Sequence, residues 1–162
     1  MTLDTSIVFI CMGNICRSPT AEGVFRHKVR AAGLIERIAV DSAGTHNYHP
    51  GEPPDARSQH HAKLRGYDLS NLRARALHEA DIEHFDWLIV MDDLNYSTVR
   101  KRLPDERHHK LRRLTEFCTE HQTREVPDPY YGERADFERV LDLVEDGCEG
   151  LLRHLRSATA FG

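Results

Sequence analysis

Cys11-Met12-Gly13-Asn14-Ile15-Cys16-Arg17-Ser18-Pro19 is the stretch on which the fold of this 162-residue chain turns. Before it lies the short apolar run Ile7-Val8-Phe9-Ile10, the pattern of a buried strand. After it Ala21, Val24, Phe25, Val29 and Ala32 recur at the spacing of one helix face. Ser18 is placed to cap that helix and Pro19 to open it, where a missing N–H costs nothing. The order strand, tight loop, helix aims backbone N–H groups and the positive end of a helix dipole into one small space. That space suits an anion. It also holds a thiol, Cys11, and six residues on a guanidinium, Arg17, which can grip a phosphate through two parallel hydrogen bonds. A phosphoryl group bound by this loop is open to attack by the Cys11 sulfur from below. A Cys ending a buried strand is more often a small core residue, and Cys-x5-Arg alone is common. The Gly and Asn inside the loop and the Ser-Pro after it decide for chemistry.

Outward from the loop, strand and helix patterns alternate. The first helix should stop at Gly33, a residue suited to the left-handed turn after a helix. Ile38 to Ser42 reads as a second strand, followed by a Gly- and Pro-rich loop through Pro54. Asp55 to Leu64 is helical and ends at Gly66; Phe85 to Met91 is an apolar third strand, closed by Asp92 and Asp93. A helix to about Leu103 and a fourth strand over Lys110 to Leu114 follow. The last helix is the clearest, with Phe137, Val140, Leu141, Val144, Cys148, Leu151, Leu152 and Leu155 on one face and Asp136 as its cap. The expected fold is α/β: three layers, a four-stranded parallel twisted sheet with helices on both faces, and the phosphate loop between strand 1 and helix 1. Ligands in such sheets bind beyond the carboxyl ends of the strands, where Cys11 and Asp92 fall.

Length and composition point to one domain, residues 1–162. The net charge of −4, with both signs interspersed, argues against nucleic acid as a partner. No run is apolar enough to span a membrane, and no signal peptide is visible. Four cysteines, at 11, 16, 118 and 148, lack zinc-site spacing and suit a reduced, cytoplasmic protein. The eleven histidines, with neighbours at 60–61 and 108–109, read as surface residues and not as metal ligands. No cofactor is expected.

The motif Cys-x-Gly-Asn-x-Cys-Arg-Ser-Pro, with the later Asp128-Pro129-Tyr130-Tyr131 and the chain length, resembles the low-molecular-weight protein tyrosine phosphatases over nearly all of the sequence. The resemblance implies Cys11 as nucleophile, Arg17 as phosphate clamp and Asp128 as general acid and then base. It places the substrate phosphate on the loop of Met12, Gly13, Asn14, Ile15 and Cys16. Ser18 would donate to the Cys11 sulfur, Tyr130 would stack on the substrate ring and Tyr48 would form an aromatic wall. Asn14 and Ser42 match residues that brace the loop. One departure stands out: in Ser70-Asn71-Leu72-Arg73-Ala74-Arg75, position 72 is Leu where that family commonly has His. Bracing of Asn14 is therefore either weaker or supplied by another group.

Magnitudes rank these roles. A free thiol of pKa ~8.5 is a few per cent ionised at neutral pH, so complete ionisation gains at most roughly thirtyfold. General acid catalysis is typically worth about 10²–10⁴-fold, so Asp128 should matter more than thiolate tuning. Pro127-Asp128-Pro129 is also sufficient as a plain turn; the Cys11 loop tips the reading. Expected partners are a phosphotyrosine-containing protein, for which a tyrosine kinase is one candidate that no residue singles out, and inorganic phosphate as product or inhibitor. Thiol-dependent arsenate reductase is disfavoured because no cysteine lies between Cys16 and Cys118. Phosphoarginine phosphatases tend to carry Thr where this chain has Ile15. A non-catalytic phosphate-binding module would not need both Cys11 and Asp128. Reversible disulfide formation between Cys11 and Cys16 is compatible with catalysis.

Overall fold

The computed structural model describes residues 4–158. Four strands, β1 (Thr5–Cys11), β2 (Ile38–Gly44), β3 (Trp87–Val90) and β4 (Leu111–Arg113), form one parallel sheet in the order β2-β1-β3-β4. The helices are α1 (Arg17–Ala31), α2 (Ala56–Leu64), α3 (Glu79–His84), α4 (Asp93–Arg100) and α5 (Arg134–Ala158). β1 is central, and its consecutive apolar residues serve two faces. Ile7, Phe9 and Cys11 enter a core with Val24 and Phe25 of α1 and Leu141, Val144 and Cys148 of α5. Val8 and Ile10 enter a second core with Ile82 of α3, Val99 of α4, Leu88 and Val90. The expected three-layer α/β sheet is therefore present. The chain adds β2 on one side of β1 and then β3 and β4 on the other, so the carboxyl ends of β1 and β3 open onto a crevice at this switch in strand order. Cys11 sits at that end of β1, and Asp92 follows β3.

Local expectations are met where local chemistry decides. Gly33 follows α1 with φ 75° and Gly66 follows α2 with φ 91°, the left-handed region that Gly enters at no steric cost. Asp55 caps α2, accepting from the N–H groups of Arg57 at 2.8 Å and Ser58 at 3.4 Å. Cys148 is fully buried on the inner face of α5.

Three expectations are corrected. Helix α1 begins at Arg17, and Ser18 is not its cap, because the Ser18 hydroxyl is taken by Asn14 and Cys11. Pro19 is thus the third helical residue, still within the first turn where N–H groups lack partners. Asp136 lies inside α5 and accepts from the Glu133 N–H at 2.7 Å, the reciprocal half of a capping box. His61 is buried, stacked on Phe137 and bonded through Nδ1 to Glu138 at 2.6 Å, and so is no surface histidine. The sequence pattern also missed α3, which at six residues is too short to show a helical period, and it overran α4, which stops at Arg100.

The 3₁₀ turn Leu114–Phe117 packs beneath α5, and Gly150 is the point of closest approach. A Cβ there would overlap the Phe117 carbonyl oxygen and lie 2.7 Å from its carbon. Helix propensity alone favours Ala over Gly by about 1 kcal/mol. A backbone carbonyl cannot rotate away, however, and overpacking costs about 1–3 kcal/mol or more. Gly150→Ala is expected to lower stability by a net 1–2 kcal/mol, roughly 2–8 °C in melting temperature. A raised melting temperature would show that α5 stands further from this turn.

Candidate active site

Four carbonyls of the loop from Cys11 to Arg17 are held by the surrounding protein. The Cys11 and Met12 carbonyls accept from Thr45 N at 2.9 Å and His46 N at 3.0 Å, just past β2. The Ile15 carbonyl accepts from Asp55 N at 2.8 Å, and that of Cys16 from the Thr20 hydroxyl at 2.7 Å. Among the described residues no protein acceptor engages the N–H groups of Met12 to Cys16. Such a ring of unpaired amides is a concavity for an anion. Gly44 permits the close approach of β2: a Cβ there would stand 2.8 Å from the Met12 carbonyl oxygen.

Asn14 holds the loop's shape. Its φ of 58° is left-handed, a conformation Asn tolerates better than most residues. The cost is offset by three hydrogen bonds: Oδ1 accepts from Arg75 N at 3.0 Å, and Nδ2 donates to Ser18 Oγ at 2.7 Å and Ser42 Oγ at 3.0 Å. These answer the Leu72 departure. Leu72 packs against the core, and Ser42 with the Arg75 backbone does the bracing. Ser42 in turn donates to the buried Glu22 at 2.7 Å, whose other oxygen accepts from Arg26. Burial pushes the Glu22 carboxyl up, opposed by the bonds from Ser42 and Arg26. Because Asn14 donates to Ser18, the Ser18 hydrogen is free for the Cys11 sulfur, 3.0 Å away.

Arg17 is almost fully buried. Its Nη1 donates to Asp92 Oδ2 at 2.6 Å and to the Val126 carbonyl at 3.0 Å, so its plane is fixed. Burial works against its charge, but the facing Cys11, Asp92 and Asp128 outweigh this and raise its pKa. Asp92 does two jobs, since its other oxygen caps α4 by accepting from Asn95 N at 2.7 Å. Its position at a strand end was legible in the sequence; its bond to Arg17 was not. Asp128 is half exposed, with Oδ2 3.8 Å from Arg17 Nη2 and Oδ1 accepting from Tyr130 N at 3.1 Å.

These groups enclose a cavity of about 310 Å³. Cys11, Met12, Gly13, Ile15, Cys16, Arg17, Tyr48, Asp128 and Tyr130 all line it, whereas Asn14, within the loop, and Ser18, just after it, are buried and do not. His49 and Tyr131, to which the sequence assigned no role, line it as well. Their only signal was adjacency to Tyr48 and Tyr130. Tyr48 stacks on His46 with centroids 5.0 Å apart, and Tyr130 meets Tyr131 edge-on at 4.9 Å. Burial pushes the Cys16 thiol up to about 12, so it stays protonated at neutral pH. Among the described residues no three His, Cys, Asp or Glu side chains are grouped to hold a metal ion, and no helix is long and apolar enough to cross a membrane.

Residues 6–160 match the family model described as low molecular weight phosphotyrosine protein phosphatase. The chain is 39% identical over 153 residues to a low molecular weight protein-tyrosine-phosphatase of Streptomyces coelicolor, covering 93% of each. It is 36% identical over 149 residues to the low molecular weight phosphotyrosine protein phosphatase of Homo sapiens, covering 91% of this chain and 93% of that one. The crystal structure of a protein tyrosine phosphatase from Entamoeba histolytica superposes with a TM-score of 0.92 at 40% identity, covering 95% and 98% of the two chains. With a match that runs almost from end to end and the same fold, the chain belongs to the low-molecular-weight protein tyrosine phosphatase family.

Proposed function

We propose that residues 1–162 act as one phosphatase domain that hydrolyses phosphotyrosine in proteins through a phosphocysteine intermediate. The observation that carries this reading is the convergence on one cavity of the Cys11 sulfur, the Arg17 guanidinium and the Asp128 carboxyl. The phosphoryl oxygens take the free amides of Met12 to Cys16 and the unused donors of Arg17, which stabilise charge where it builds up. The Cys11 thiolate attacks phosphorus; the P–S bond forms and the P–O bond to the aryl group breaks. The Asp128 carboxyl gives its proton to the departing aryl oxygen. In the second step the Asp128 carboxylate takes a proton from water, the water oxygen attacks phosphorus, and the P–S bond breaks. Ser18, its hydrogen directed at the sulfur by Asn14, stabilises the leaving thiolate. Orthophosphate is released, and it competes for the same loop.

Tyr48 and Tyr130 line the cavity as exposed aromatic rings, and Cys11, which lines it too, is only 3% exposed, so we take it as the floor. A flat aryl phosphate reaches that floor between the rings more readily than the short arm of phosphoserine. The test is a panel of phosphotyrosine, phosphoserine and phosphoarginine peptides, with a metal chelator present. Phosphotyrosine is expected to turn over fastest, at a rate unchanged by the chelator, since Arg17 and the loop amides supply the positive field. Faster turnover of phosphoarginine would reassign the substrate. Activity lost to the chelator and restored by a divalent ion would overturn the mechanism.

A further inference from the structure

We propose that Arg57 is a positioning residue of this reaction, clasping the segment that carries Asp128 to the phosphate-binding loop. The inference rests on the reading of Asp128 as proton donor. Residues 127–132 lie at the rim, and their internal bonds are local: Tyr130 N to Asp128 Oδ1 and Gly132 N to the Pro129 carbonyl. Beside the long Arg17–Asp128 pair at 3.8 Å, one hydrogen bond among the described residues ties this segment to the rest of the chain, from Arg57 Nη2 to the Tyr130 carbonyl at 3.0 Å. The same guanidinium grips Asp55 by a fork, Nε to Oδ1 at 3.1 Å and Nη2 to Oδ2 at 2.9 Å. Asp55 is itself fastened to the phosphate loop, donating its N–H to the Ile15 carbonyl at 2.8 Å. Arg57 Cζ lies over two rings, 4.6 Å from the Phe137 centroid and 5.6 Å from that of Tyr130.

One exposed side chain thus joins three pieces that meet only in the folded protein: the phosphate loop, the acid segment and the first turn of α5. Lys cannot replace it, because a single ammonium cannot hold both Asp55 oxygens and the Tyr130 carbonyl while stacking on a ring. Without the clasp the 127–132 segment keeps its turn but loses its register with the loop, and Asp128 spends less time within reach of the leaving oxygen. A misplacement of about 1 Å can cost about 10²-fold in rate. The competing account is a surface ion pair between Asp55 and Arg57 with no bearing on chemistry, of the kind that contributes little.

The experiment compares Arg57→Ala and Arg57→Lys with the parent on phosphotyrosine peptide and on para-nitrophenyl phosphate, with orthophosphate inhibition and melting temperature alongside. Arg57→Ala is expected to lower kcat for phosphotyrosine about 10–100-fold, with a smaller loss on para-nitrophenyl phosphate, whose leaving group needs less help from an acid. Phosphate inhibition should stay within about twofold, since the loop is intact, and Arg57→Lys should recover little. In an Asp128→Asn background, Arg57→Ala should add no further loss, because both act through one proton transfer. Equal losses on the two substrates, a full additional loss in the Asp128→Asn background, or kinetics unchanged in Arg57→Ala would each overturn the proposal. If Asp128→Asn shows a leaving-group-dependent loss and Arg57→Ala does not, the clasp alone fails. If Asp128→Asn itself shows none, the reading of Asp128 fails and the clasp falls with it.

Discussion

Cys11→Ser is expected to abolish turnover while leaving orthophosphate binding in place. The substitution removes the sulfur and changes side-chain volume little at a site that is 3% exposed, so it opens no cavity. The amides of Met12 to Cys16 and the Arg17–Asp92 pair that make the anion site do not depend on it. A serine hydroxyl is hardly ionised at neutral pH, and Ser18, 3.0 Å from the sulfur, is no base able to take its proton. Removing a nucleophile of this kind typically costs about 10⁴–10⁶-fold in kcat. Cys16 cannot substitute, since burial holds its thiol up to about 12. The measurement is single-turnover release of phenolate together with phosphate binding by titration calorimetry. Turnover above a tenth of the parent, or a phosphocysteine mapped to Cys16, would remove Cys11 from the mechanism.

Asp128→Asn should slow formation of the phosphocysteine by about 10²–10⁴-fold and hardly change phosphate affinity. Asn keeps a side-chain oxygen able to accept from Tyr130 N, now at 3.1 Å from Oδ1, so the turn survives and the melting temperature should not move. What is lost is the proton. Para-nitrophenolate leaves readily without one, whereas the phenolate of tyrosine does not, so kcat/KM for phosphotyrosine should fall further than for para-nitrophenyl phosphate. The competing view, that Asp128 only shapes a turn, predicts equal losses for both substrates and a lower melting temperature. Measuring both substrates and the melting temperature in parent and variant decides between them.

The sequence by itself determined the features that local chemistry settles. A run of apolar residues too continuous for a one-sided strand forced β1 between two layers, and the Gly, Asn and Pro of residues 11–19 made the turn from strand to helix. Gly33 and Gly66 ended their helices because only a residue without Cβ enters the left-handed region freely. The inner face of α5 could be read from its period alone.

Tertiary structure decided whatever depended on a partner distant in the chain. Ser18 looked like a cap until Asn14 and Cys11 claimed its hydroxyl, so α1 starts one residue before it. Leu72 left bracing of Asn14 either weaker or due to another group, and the fold decided for the latter, with Ser42 and the Arg75 N–H on Asn14. His61 looked exposed because no local pattern shows that Phe137 and Glu138 of α5 cover it. The bonds from Arg17 to Asp92 and from Arg57 to Tyr130 span 75 and 73 residues. A side chain's hydrogen-bond capacity is written in the sequence, but which of several partners takes it is settled only when packing brings one of them within about 3 Å.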